Sequence, residues 1–141
     1  MQLEHLCDLE LAYTSLIVLT PFGGEDGVAY GEGEGEFRGK RLTGRARWSN
    51  HPKRRTDGVY LPDAHGAIET EDGAQLLFHL RGRTRMDSEV GLQNLVVTFE
   101  SEDDRYAWLN GEVCVAEGVI DANRGAMTGR IYVCVNELGG G

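Results

Sequence analysis

Polar and apolar side chains alternate with a period of two along most of this chain, the signature of strands that send successive side chains to opposite faces. Over residues 2–13, Cys7, Leu9, Leu11 and Tyr13 alternate with Asp8, Glu10 and Ala12, which predicts a half-buried strand; Leu3, Leu6 and Cys7 also fit one helical turn, so the first residues stay open. Residues 15–20 are apolar and β-branched, a further strand or a continuation, and residues 21–27 carry the breakers of a loop. In residues 28–37, Glu32, Glu34 and Glu36 alternate with Gly31, Gly33 and Gly35. As a strand this has one acidic face and one bare face, which allows sharp coiling and close approach of another backbone or a ligand. Leu42, Gly44, Ala46 and Trp48 then oppose Arg41, Thr43, Arg45 and Arg47, and the glutamate and arginine rows are suited to pair across a hairpin. Glu71-Asp72-Gly73 is a hairpin turn leading into residues 74–84, where Leu76, Phe78, Leu80 and Gly82 share a face. Residues 92–99 and 127–138 predict two more strands. Residues 105–110, Arg-Tyr-Ala-Trp-Leu-Asn, read as the opening of a strand that runs on to Ile120, with Gly118 as a bulge. The total is about nine extended segments with short loops and no long helix, an all-β chain folded as a closed antiparallel barrel of about eight strands or as a sandwich.

Composition narrows the class. The chain has 141 residues, 40% hydrophobic and 26% charged, enough for one domain with a proper core; residues 1–138 are assigned to it and the glycines at 139–141 to a disordered tail. A net charge of -9 argues against nucleic acid and anionic membranes as partners. Cys7, Cys114 and Cys134 are odd in number and lie in apolar runs, which fits free thiols in a reducing cytoplasm rather than a disulfide framework. No stretch has the form of an export signal or a membrane-spanning helix.

Candidate chemistry is sparse. On an extended run, Tyr106, Trp108, Asn110 and Glu112 share a face, either the wall of a pocket or a plug for one end of a barrel. Asp63 and His65, two apart, project together; a carboxylate beside a histidine raises its basicity, as a general base needs, although a solvated surface pair gives the same pattern. No nucleotide-binding loop or nucleophile elbow is present, so no cofactor is expected. The four histidines lack the sequence spacing of a metal site, and no metal is expected either.

Several motifs in order carry a resemblance: Gly35-Glu36-Phe37-Arg38-Gly39 with Leu42-Thr43-Gly44, Trp48, Asp57-Gly58-Val59, Thr70-Glu71-Asp72-Gly73-Ala74, Arg81-Gly82 and Tyr106-Ala107-Trp108-Leu109-Asn110. From Leu3 to Leu138 the chain resembles the small β-barrel family catalogued as domain of unknown function 3237. The resemblance implies a lipocalin-like (calycin) or allene-oxide-cyclase-like barrel, without a settled activity. Where members more usually carry Asp-x-Arg-Tyr, this chain has Asp63-Ala64-His65-Gly66.

Two functions from different classes are expected. One is a cofactor-independent lyase, isomerase or cyclase moving a proton on a small aromatic or carbonyl compound inside the barrel. There Trp48, Tyr106 and Trp108 would hold the substrate, Arg81 or Asn110 would stabilise an oxyanion, and Asp57, Asp63 or His65 would carry the proton. The other is a non-catalytic binder of a small apolar molecule. A homo-oligomer whose barrel is simply filled by side chains is the third possibility. The first two are separated by whether a titratable pair points into the cavity beside an oxyanion donor.

Overall fold

The computed structural model describes residues 1–23 and 27–139; the expectations for residues 24–26 of the loop and 140–141 of the tail lie outside the described residues. Among the described residues ten strands follow in chain order: β1 (Gln2–Leu19), β2 (Val28–Arg38), β3 (Gly44–Asn50), β4 (Lys53–Arg54), β5 (Tyr60–Leu61), β6 (Asp63–Thr70), β7 (Gln75–Asp87), β8 (Val90–Glu100), β9 (Cys114–Asp121) and β10 (Ala126–Val135). Eight of them close a ring in the order β1-β10-β9-β8-β7-β6-β3-β2 and back to β1, every pairing antiparallel. The closed barrel is therefore the architecture, and the sandwich is not. The two-residue strands β4 and β5 bridge β2 to β7 beside one rim. Among the described residues, no helix is long and apolar enough to cross a membrane.

The alternation read from the sequence sets the register. β1 is one long strand, with an irregularity between His5 and Cys7 that lets Leu6 and Cys7 both lie buried. Glu34 sits opposite Arg47 and Glu36 opposite Arg45, on the outer side of the wall. The inner side holds Leu9, Phe37, Ile68, Leu76, Phe78, Val97, Phe99 and Ile131, all nearly inaccessible. Gly118 pairs in regular register with Gln93 and Gly129, so it is not a bulge; a Cβ there would come within 3.1 Å of Met127 Cε, and the missing side chain makes room for that methionine.

The bare face of β2 is filled by its neighbours. A Cβ at Gly31 would lie 2.2 Å from Tyr13 Cε1, at Gly33 2.2 Å from Trp48 Cζ2, and at Gly35 2.6 Å from Leu11 Cδ2. Side chains from β1 and β3 thus lie across the glycines, and two of them are large rings whose centroids are 5.0 Å apart in an edge-on arrangement.

The opening of one expected strand is absent, and only its later part forms, as β9. Residues 105–110 do not extend. Asp103 accepts the backbone N–H groups of Tyr106 and Ala107 through its carbonyl oxygen and that of Arg105 through its side chain. This local turn outcompetes extension, and a 3-10 helix follows over Ala107–Gly111. Its Leu109 is fully buried, Tyr106 nearly so. The segment packs on β8 at the end where Leu76 and Phe99 point inward, and it closes that end of the barrel.

Candidate functional site

The opposite end stays open. A cavity of about 260 Å³ lies there, walled by Leu11, Tyr13, Trp48, Leu80, Leu95 and Met127 and rimmed by residues of the 50–64 and 120–127 segments. Four of its polar side chains form two hydrogen-bonded pairs. Asn50 Nδ2 donates to the Tyr13 hydroxyl oxygen at 2.8 Å, and Asn50 Oδ1 accepts the Asp63 backbone N–H at 3.0 Å, so the amide orientation is fixed. The Tyr13 oxygen already accepts a bond, and its own proton meets no acceptor among the described residues. Burial pushes the Tyr13 phenol above its ordinary range, against the pull of the Asn50 bond, so it is protonated and a donor at neutral pH. On the other side Gln93 Nε2 donates to Thr84 Oγ1 at 2.9 Å, and both residues are buried. Trp48 Nε1 is buried without a partner among the described residues. Among the described residues, none that lines the cavity carries a formal charge.

The sequence-predicted residues divide between the two ends and the outer wall. Trp48 is in the cavity wall. Tyr106, Trp108 and Asn110 share no strand face and lie at the closed end, because the turn at Asp103 replaces the strand. There the Tyr106 hydroxyl donates to the Asp72 carboxylate, 2.9 Å from each oxygen. Arg41 stacks on Trp108 with its guanidinium carbon 4.0 Å from the ring centroid, and Asn110 bonds both the N–H and the carbonyl of Ser101 at 2.8 Å. Of the two readings offered for this stretch, plug rather than pocket wall is the arrangement seen. Asp57 is in the exposed loop beside β5, held by Arg55 at 2.5 and 3.1 Å; that guanidinium keeps its carboxyl below the usual range.

Asp63 and His65 do share a face, as their spacing requires, but it is the outer face of the barrel, and Arg81 is beside them on β7 opposite Asp63. Register adds a residue that chain spacing could not reveal. His79 pairs with His65 across the ladder, their rings stacked at 4.0 Å and 12°. His79 Nε2 lies 2.6 Å from Asp63 Oδ1, a bond that holds the Asp63 carboxyl below its ordinary range. Sequence reasoning also left Tyr13, Asn50, Thr84 and Gln93 out of the site. Tyr13 shares a face of β1 with Leu9 and Leu11, as the alternation predicts; that this face is the inner one, and that Asn50 gives Tyr13 a polar role, come from the structure.

The barrel and its motifs coincide with one protein family. A match to the family described as "protein of unknown function (DUF3237)" covers residues 1–134. The chain belongs to the DUF3237 family. Solved structures agree on the architecture of this DUF3237 protein. A "beta-barrel like protein" from Acinetobacter baumannii superposes with a TM-score of 0.84 at 21% identity, covering 94% of each chain. A protein of unknown function from Clostridium acetobutylicum gives a TM-score of 0.84 at 16% identity, covering 94% of this chain and 97% of that one. A protein described as an enzyme from Penicillium herquei gives 0.73 at 20% identity over 94% of each chain. No curated protein sequence matches the chain. At these identities the likeness speaks for the fold. The space a side chain would take at Gly66 is filled by Phe78, whose Cζ lies 2.4 Å from where a Cβ would be.

Proposed function

We infer that the open end of this DUF3237 barrel takes up one small, neutral, largely apolar compound and orients it by a carbonyl or hydroxyl oxygen. The observation that carries this reading is the Tyr13 hydroxyl, fixed by Asn50 at the cavity wall with its proton unclaimed among the described residues. A mostly apolar wall with a few placed polar groups is the usual make-up of a small-molecule site, and a volume near 260 Å³ is small for the class. A carboxylate ligand would be buried against no cation among the described residues, at substantial cost.

The same geometry allows chemistry, the second reading, favoured by the description of the Penicillium herquei neighbour as an enzyme. Tyr13 would then act as general acid, polarising a carbonyl in a cofactor-independent lyase, isomerase or cyclase reaction. Asp57, Asp63, His65, Arg81 and Asn110 do not line the cavity and take no direct part in this reading.

A thermal-shift panel of small aromatic ketones, aldehydes and phenols, set beside the matching carboxylic acids, tests the proposal. Neutral compounds raise the melting temperature by mass action and the acids do not. With a neutral hit, Tyr13→Phe weakens binding about fivefold, the worth of roughly 1 kcal/mol for a neutral hydrogen bond. Turnover by wild type that vanishes in a Tyr13→Phe protein that still binds supports the enzyme; binding with no chemical change supports the receptor. A panel in which only the acids shift the protein rejects the reading.

A further inference from the structure

The outer wall carries a second constellation that the cavity does not use. Asp63 and His65 project from β6 and His79 from β7, with His65 directly opposite His79. Two imidazoles converge on one carboxylate oxygen: His79 Nε2 is 2.6 Å and His65 Nε2 3.6 Å from Asp63 Oδ1. One donor atom from each of the three residues lies within 4.8 Å of the other two. A tetrahedral ion bound at about 2.0–2.1 Å spaces its donors about 3.3 Å apart. The separations seen here straddle that value. The three side chains are partly exposed, at 45% for Asp63, 60% for His65 and 30% for His79, which leaves them room to rotate towards it.

We propose that Asp63, His65 and His79 form a binding site for one divalent transition-metal ion, zinc being the first candidate, with water completing its coordination. The donor set selects the metal class. Two imidazoles and one carboxylate suit zinc, nickel or copper, whereas magnesium and calcium prefer oxygen ligands. The backbone is already in place, because two antiparallel strands fix the Cα positions of all three residues before any metal arrives. The neighbours across the ladders are Ser49 on β3 and Thr98 on β8, neither of them charged. Arg81, opposite Asp63, is the one neighbouring cation among these register partners. It sets a positive charge beside the site and limits affinity. A bound ion ties β6 to β7 next to the rim that carries Asn50, whose side chain holds the Asp63 N–H.

The test is calorimetric titration of metal-free, tag-free protein with zinc, and with magnesium as a contrast. The expected result is one zinc per chain and no heat from magnesium. His65→Ala and His79→Ala should each raise the Kd about tenfold or more, since removing even an outer-shell partner has that effect. His5→Ala, at the separate His5–Asp8 pair, should change nothing. Circular-dichroism melting without metal checks that the variants fold. Independently of any variant, zinc added to wild type should shift the imidazole NMR resonances of His65 and His79 together. No saturable zinc binding, binding that survives both histidine variants, or shifts confined to other histidines would overturn the proposal.

Discussion

A methyl group at position 33 would lie 2.2 Å from Trp48 Cζ2 and 2.4 Å from the Ala12 carbonyl oxygen. The side chain can yield but the backbone cannot, so Gly33→Ala must push both the indole and the β1–β2 ladder. Overpacking of this kind costs about 1–3 kcal/mol, and the displaced ring lies in the cavity wall. The expected outcome is a lower denaturation midpoint together with loss of cavity ligands; a Gly33→Ala protein that melts and binds like wild type would show that the bare face does not set the wall. The same few residues show what a sequence can and cannot display. The Gly-Glu alternation and the inward placement of Trp48 follow from a period of two. The union of Tyr13 with Asn50, 37 positions apart, depends on which strands meet at one rim, and no local pattern encodes that.

Among elements, the closed end is built as a latch between the β6–β7 hairpin tip and the 3-10 segment. Thr70 donates to Asp72 Oδ1 at 2.5 Å and the Tyr106 hydroxyl reaches both Asp72 oxygens. Arg105 binds the Asp72 carbonyl at 2.9 Å while gripping the Asp103 carboxylate. The Thr70 and Tyr106 bonds hold the Asp72 carboxyl below its ordinary range, and the Arg105 bond holds that of Asp103 at about 2. A carboxyl whose folded-state pKa is depressed stabilises the fold above its unfolded pKa and loses that contribution as pH falls through the folded value. Melting temperature should therefore drop as pH goes from about 4 towards 2, and Asp103→Asn should flatten that drop; an unchanged acid slope would remove these groups from the latch. Behind it, Leu109→Ala should cost about 2–5 kcal/mol in chemical denaturation while leaving ligand binding at the far rim unchanged.

This latch is also where the sequence misleads. Tyr-x-Trp-x-Asn alternates as a strand would, and only the capping role of Asp103, two residues before Arg105, betrays the turn. By contrast the β2–β3 hairpin is legible in outline, since glutamate and arginine rows of equal period are suited to pair; only its register, Glu34 with Arg47 and Glu36 with Arg45, needs the structure. His79 was legible as a strand residue but not as the neighbour of His65, because the spacing rules for ligands count along the chain and not across it.

Across the described molecule, the buried apolar core lies inside one ring of strands. Burial pushes the thiols of Cys7 and Cys114 up to about 12, which leaves almost no thiolate at neutral pH. An aromatic disulfide reagent should therefore label neither in the native protein, and both at the rate of global opening. Fast labelling of Cys7 in native buffer would show that the β1 seam breathes separately from the rest.

That seam has a further consequence, in time rather than in space. The ring is completed by β1 and β10, with Gln2 paired to Val135, so the first strand made must wait for the last. Until Ala126–Val135 has left the ribosome, the nascent sheet has two bare margins open to any passing strand, and pairing so distant in sequence is slow to form. The hazard in the life of this protein falls in the interval before closure, when the chain is long enough to aggregate and still too short to shut.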